Sequence, residues 1–181
     1  IDLADVTDQD YIFNLAGSVD NYSIKADNPD RDPYLDIERN CTPTISLLET
    51  LKDHNPSAKL IFGSTFFVNG ELGINNLPAT PKSPCNPLGL YPAARLCAEH
   101  FCHIYHNNFG LDIVIARFTN VFGPFESGDN PKKAGFNFMI NQAVKRESLK
   151  LYNNGDFFRD YIYVDDAADA LMVLADKGET N

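Results

Sequence analysis

A tyrosine and an arginine four residues apart, Tyr91 and Arg95, form the most chemically suggestive pair in this chain. Positions i and i+4 share one helix face, so a phenol and a fixed cation would stand together there. A free phenol titrates near pH 10 and is a poor acid–base catalyst at neutrality. Bringing it to about 7 requires roughly 4 kcal/mol of preferential stabilisation of the phenolate, and a nearby cation is one source. Taken alone, the pair also describes an ordinary amphipathic helix with one charge at its edge.

A second cluster on the same segment invites a metal reading. His100, His103 and His106 follow Tyr91, with Glu99 and Cys102 beside them. The three imidazoles fan over about 120° of helix circumference, so they do not converge on one ion. Glu99/His103 and Cys102/His106 each supply only two ligands, and no metal is expected.

The helix carrying these residues should begin near Tyr91 and end near Asn108, with Pro92 in its first turn. Tyr91, Ala94, Ala98, Phe101 and Tyr105 would face the core. Upstream, Tyr11-Ile-Phe-Asn-Leu-Ala-Gly17 reads as a buried parallel strand and a tight turn. A helix should start around Asp36 and end near His54, with Ile37, Ile45, Leu48 and Leu51 inward and Pro43 near a first turn or kink. Lys59-Leu-Ile-Phe-Gly-Ser-Thr65 is a second buried strand, followed by a long loop rich in Gly, Asn and Pro up to residue 90. Leu111–Thr119 is a third strand, running into a turn at Asn120–Pro124. A helix over 136–146, the segment Phe158–Val164 and a last helix capped by Asp165 complete the pattern. Alternating strands and helices imply an α/β fold with a doubly wound parallel sheet, whose strand ends carry the chemistry.

The 181 residues hold 15 basic and 25 acidic side chains, a net charge of −10. Such a surface argues against nucleic acid and anionic membranes as partners. No apolar run approaches the ~18 residues of a membrane span. The four cysteines form no C-x-x-C pair and read as free thiols of a reducing compartment, with a cytoplasmic location the default. The chain opens on Ile-Asp-Leu and closes on Asn181, and it reads as a piece of a longer protein.

In order along the chain stand Asn14-Leu-Ala-Gly17, Asn40, Phe62-Gly-Ser-Thr65, Tyr91-x-x-x-Arg95, Arg117-Phe-Thr-Asn-Val-Phe-Gly-Pro124 and Phe158-Arg-Asp-Tyr-Ile-Tyr-Val-Asp-Asp166. This series resembles the extended short-chain dehydrogenase/reductases, in their NAD-dependent epimerase/dehydratase branch that acts on nucleotide sugars. The resemblance implies a Rossmann-like domain over residues 1–124, incomplete at its N-terminus. It also implies a partial substrate-binding region over 125–181, with a returning strand and helix.

It further implies roles for single residues. Thr65 would hydrogen-bond the reacting sugar hydroxyl, Tyr91 would be the acid–base group, and Asn40 a buried asparagine near it. Arg95 takes the place of a lysine that holds the nicotinamide ribose and lowers the tyrosine pKa. Asp2 and Leu3 would meet the adenine, Ala16 and Gly17 would form the turn beside the cofactor, and Thr119 would lie near the nicotinamide. Asn120 and Arg159 would hold the substrate diphosphate, a task suited to a planar guanidinium fork. The competing structural roles are a strand cap for Thr65, an ion pair with Asp160 or Asp165 for Arg159, and a turn residue for Asn120.

The resemblance implies NAD or NADP as cofactor, a nucleotide-sugar substrate, and a homodimer through the Tyr91 helix. Several positions depart from the family pattern. Arg95 replaces lysine, Asn69 stands where a tyrosine is usual, and Pro43 where a glycine is usual. Phe66 and Phe67 occupy positions where a 4,6-dehydratase carries acids, so epimerisation or reduction is expected over dehydration. These residues contain no Gly-x-x-Gly-x-x-Gly, the loop that anchors the cofactor pyrophosphate. Two functions follow: an NAD(P)-dependent epimerase or ketoreductase, or a non-catalytic relative that keeps a sugar-nucleotide site.

Overall fold

The computed structural model describes residues 6–19, 32–72, 77–127, 135–149, 151–156 and 158–180. Asp2 and Leu3, expected beside the adenine, lie outside them. Tyr11–Asn14 forms β1, which pairs in parallel with β2, Lys59–Thr65, in the register Tyr11↔Lys59 to Asn14↔Phe62. Asp112–Phe118 forms β3, giving the order β1-β2-β3. Central placement buries β2: Leu60, Ile61 and Phe62 are wholly inaccessible, as a continuous apolar run in a parallel sheet demands. β1 departs from the buried strand expected of its apolar run. Among the described residues no strand pairs with its other side, and Tyr11 and Phe13 are exposed.

Between β1 and β2 the chain makes a π-helical turn over Ile37–Cys41 and then α1, Thr42–His54. Pro43 at the start of α1 explains the wide turn. It has no N–H to give the carbonyl four residues back, and its ring crowds that carbonyl; an i→i+5 turn relieves both. The Thr42 N–H accordingly bonds the Ile37 carbonyl. The wide turn also shifts the helix face. Thr44, Leu47, Leu48 and Leu51 point inward, whereas Ile37 and Ile45, expected in the core, are exposed.

Leu90–Phe109 forms α2, ended by Gly110 at φ 74°, a left-handed cap that its lack of a Cβ allows. Its inward face keeps the apolar stripe read from sequence and adds charges to it. Ala94 and Ala98 are buried, and the half-buried Phe101 and Tyr105 pack against the core as expected; Tyr91 is half-buried. Arg95 and Glu99 take the centre of the face, 4% and 1% exposed. The core around them includes Leu48, Leu51, Leu60, Phe62, Ala98 and Ile113.

Glu99 survives burial because its charge is answered. Arg117 of β3 reaches it through Nε at 3.0 Å and Nη2 at 2.6 Å, and Ser64 of β2 donates its hydroxyl at 2.5 Å. One carboxylate thereby ties α2 to both neighbouring strands.

The chain divides into two compact units, Ile1–Arg117 with Val173–Asn181, and Phe118–Met172. In the second unit Asn120–Phe122 is a strand, β4, where the sequence suggests a turn. It pairs in parallel with β5, Tyr161–Tyr163, across 40 residues of chain that local sequence cannot reveal. α3, Gly135–Val144, packs Phe136 against Phe122 and Tyr161, each at 4.8 Å between ring centres. α4 spans Val164–Lys177; Asp165 lies inside its first turn with Asp166, where both complement the helix dipole. No helix among the described residues is long and apolar enough to cross a membrane.

Glu99→Gln should keep the shape of the network and leave Arg117 facing a neutral amide. Removing one partner of a fully buried pair costs about 3–5 kcal/mol; with part of Arg117 in solvent we expect about 2–4 kcal/mol in urea denaturation. A loss under about 0.5 kcal/mol would show that the carboxylate does not hold the strands together.

Candidate functional site

In the first unit the ends of β1 and β2 lie side by side, since Asn14 is paired with Phe62. Leu15 crosses so closely over β2 that a Cβ on Gly63 would stand 2.8 Å from its side chain. Thr65 ends β2 in an extended conformation and caps a short 3-10 turn, Phe66–Asn69, accepting the Phe67 N–H at 3.3 Å. That is the structural role weighed for it from sequence. The same hydroxyl is near enough to the Tyr91 phenol to pull its pKa down. Thr65 and Tyr91 thus influence one another although 26 positions separate them in the sequence.

Asn69 is buried and ties down the following loop, donating to the carbonyls of Ser83 and Pro84 at 3.4 and 3.0 Å. Phe66 and Phe67 stack on one another with ring centres 4.3 Å apart.

Asn40 sits on the π turn, 1% exposed. Its Nδ2 donates to the Ser18 carbonyl at 3.1 Å and to the Asp36 carbonyl at 2.9 Å, and its Oδ1 accepts the Ser18 N–H at 3.3 Å. One carboxamide therefore pairs both backbone groups of Ser18, as a neighbouring strand would. Ala16 and Gly17 precede that clamp. Gly17 admits no side chain: a Cβ there would lie 2.7 Å from Asn40 Oδ1 and 3.0 Å from Arg95 Nη1.

Arg95 is where the structure departs most from the expected geometry. Its guanidinium is turned into the protein, stacked over the Phe62 ring at 4.5 Å, with Nη1 donating to the Ala16 carbonyl at 3.1 Å. Its Nε is buried and has no hydrogen-bond partner among the described residues.

The electrostatics follow from burial. Desolvation pushes the Tyr91 phenol above its usual value, and this outweighs the opposing pull of the Arg95 charge and the Thr65 hydroxyl; Asp36 adds to the rise. Arg95 acts in the expected direction, but the net shift is opposite to the one read from the pair alone. Burial also lowers the Arg95 pKa. The Cys41 and Cys102 thiols are pushed up to about 12, chiefly by desolvation, which removes them as nucleophiles near neutrality.

The remaining candidates belong to the second unit. Thr119 is half-buried just before β4. Asn120 donates its side-chain amide to the Asp160 carbonyl at 2.8 Å, so this group helps set the β4–β5 register. Arg159 is exposed, and its Nη1 donates to the Phe158 carbonyl at 3.0 Å. A cavity of about 360 Å³ in this unit is lined by Phe122, Pro124, Glu126, Asn137, Ile140 and Tyr163 and includes none of the three.

Among the described residues no group of three or more His, Cys, Asp or Glu is placed to hold a metal ion. Glu99 is engaged by Arg117 and Ser64, and a ring nitrogen of His106 lies 2.8 Å from the Leu111 carbonyl. The residues that sequence reasoning missed are Ser64, Arg117 and Phe62 as partners, and Glu99 as a buried anion rather than a ligand. The available signal was spacing: Glu99 is four residues beyond Arg95, on the same helix face.

Residues 2–181 match the NAD dependent epimerase/dehydratase family. The chain is 32% identical over 159 residues to a putative UDP-glucose 4-epimerase of Methanocaldococcus jannaschii, covering 86% of this chain and 50% of that protein. Its fold resembles UDP-N-acetylglucosamine 4-epimerase of Methanobrevibacter ruminantium M1, solved with UDP-N-acetylmuramic acid. The TM-score is 0.87 at 29% identity, over 99% of this chain and 56% of the other. UDP-glucuronic acid 4-epimerase of Bacillus cereus, solved with NAD, gives a TM-score of 0.80 at 28% identity, over 99% and 54%. The chain thus spans about half the length of these relatives and shares their Rossmann-like α/β architecture. With the family match spanning almost every residue, this chain belongs to the NAD-dependent epimerase/dehydratase family.

Proposed function

We propose that the protein is an NAD(P)-dependent epimerase or ketoreductase acting on a nucleotide-linked sugar, with Tyr91 as its acid–base group. One observation carries the reading: the Thr65 hydroxyl at the end of β2 and the Arg95 charge both act on the Tyr91 phenol, each favouring its anion.

A nicotinamide cofactor fits these residues at Tyr91 and not at Arg95. Tyr91 is half-buried, whereas the Arg95 guanidinium is walled in and bonded to the Ala16 carbonyl. The glycine loop that cradles a pyrophosphate is also absent from these 181 residues. When bound, such a cofactor supplies the hydride acceptor. The chain's own share is proton transfer and placement. Thr65 holds a substrate hydroxyl against Tyr91; the Tyr91 oxygen, once ionised, takes the hydroxyl proton and later returns it. The stacked Phe66 and Phe67 offer no acid for eliminating water, which favours epimerisation or reduction over dehydration. In the second unit, Arg159 and Asn120 are our candidates for the substrate diphosphate.

The non-catalytic reading draws on two observations: Arg95 faces inward, and burial holds the phenol protonated. Kinetics on the protein expressed from its complete gene separate the two. With UDP- and dTDP-linked hexoses as probes, turnover should rise with pH beyond neutrality, because a phenol raised by burial yields its base only there. Tyr91→Phe should lose that limb and about 10²–10⁴-fold in turnover, with cofactor affinity nearly unchanged. No label exchange between reduced cofactor and any of these sugars, in the parent protein, would make the non-catalytic reading correct.

Arg159→Ala should weaken nucleotide-sugar binding by about 1.5–3 kcal/mol in calorimetry; unchanged affinity would remove Arg159 from the substrate site. We further propose a homodimer through the outer face of α2, where Cys97, His100 and Ile104 are exposed. Ile104→Glu should shift the protein to monomer in sedimentation, and a parent that is already monomeric refutes the interface.

A further inference from the structure

We infer that Arg95 is the positioning residue of this site: its guanidinium locks the Ala16–Gly17–Ser18 turn onto α2 and does not serve as a clamp for a bound nucleotide. In part this rests on reading Tyr91 as the acid–base group. The lock itself stands on geometry alone.

Four contacts define it. Nη1 of Arg95 donates to the Ala16 carbonyl at 3.1 Å. The guanidinium carbon lies 4.5 Å over the centre of the Phe62 ring, a face that suits a planar delocalised cation better than a compact ammonium. Gly17 packs directly beneath, with room for no Cβ between Arg95 and Asn40. Asn40 then holds Ser18 by both backbone groups. A turn bonded at Ala16, sealed at Gly17 and bonded again at Ser18 has little freedom left.

Only 4% of Arg95 is exposed, so a ligand at the sheet end would meet Tyr91 and the turn before it met the guanidinium. The charge still acts on Tyr91 through space, one helical turn away. Arg95 thus does two separable things, and lysine can replace only one of them. An ammonium keeps the charge but offers no plane to stack on Phe62. Its shorter reach toward the Ala16 carbonyl would leave part of the core vacant.

The test uses Arg95→Lys, Arg95→Met and, with the charge left in place, Gly17→Ala. Hydrogen exchange across Asn14–Ser18 reads the lock directly and should accelerate about tenfold in all three. In the protein from the complete gene, Arg95→Lys and Gly17→Ala should lower turnover about tenfold, equivalent to about 1.4 kcal/mol of barrier, without moving the pH–rate limb. Arg95→Met should slow turnover and also move that limb to higher pH, which a loss of packing alone would not do. The inference is overturned if Arg95→Lys exchanges at the parental rate, or if it turns over faster and binds NAD or NADP more tightly, as a ribose clamp would. Should the parent show no hydride transfer, the proposed function fails. The exchange arms then decide the lock by themselves, and Gly17→Ala does so even if neither Arg95 variant folds.

Discussion

Two opposite charges on one face of α2, Arg95 and Glu99, lie in the interior; the first unit answers Glu99 and, leaving its Nε without a partner among the described residues, part of Arg95. Burying an ion is costly unless hydrogen bonds and countercharge replace water. Glu99 receives a forked arginine from β3 and a hydroxyl from β2. Arg95 receives a backbone carbonyl from the turn after β1 and the face of a phenylalanine from β2. Every strand of the first sheet is therefore joined to α2 through one of these two groups. The helix that carries the phenol is fixed to the strand ends by directional bonds as well as by apolar contact.

That fixing shapes the chemistry available to Tyr91. A phenol packed beside buried groups loses hydration, which favours its neutral form, while the Arg95 cation and the Thr65 hydroxyl favour the anion. Burial prevails, so the resting group is an acid. The turn Ala16–Ser18 completes the setting, held from one side by Arg95 and from the other by Asn40 on a π turn. Pro43 is the local cause of that turn, three residues beyond Asn40.

Family membership accounts for the architecture, and relatives of known structure were solved with NAD or with UDP-linked sugars. Within this chain the acid–base candidates and the proposed diphosphate ligands fall in different compact units. Asn120 and Arg159 are close in space because β4 pairs with β5, and the Asn120 amide bonds the residue after Arg159. Their local arrangement is a product of strand pairing rather than of the turn that the Asn-Val-Phe-Gly-Pro run suggests.

Local pattern was enough to give the α/β class, the strand Lys59–Thr65 and the long helix after Tyr91, because each rests on periodicity within a short window; the family rested on a resemblance carried by motifs in order along nearly the whole chain. They also drew attention to Thr65, Tyr91, Asn40 and Gly17, which the fold gathers at one sheet end. Three things were decided only in three dimensions. Inward-facing charges escaped an apolar-stripe reading, since Arg95 and Glu99 look like surface residues until Ala16, Phe62, Ser64 and Arg117 arrive from distant segments. Exposure of β1, Ile37 and Ile45 depended on strand order and on a wide turn, neither of which hydrophobicity encodes. Above all, the direction of the Tyr91 pKa depended on depth. Spacing placed a cation one helical turn from the phenol, but only packing determined how much water both would lose, and that loss outweighed the attraction.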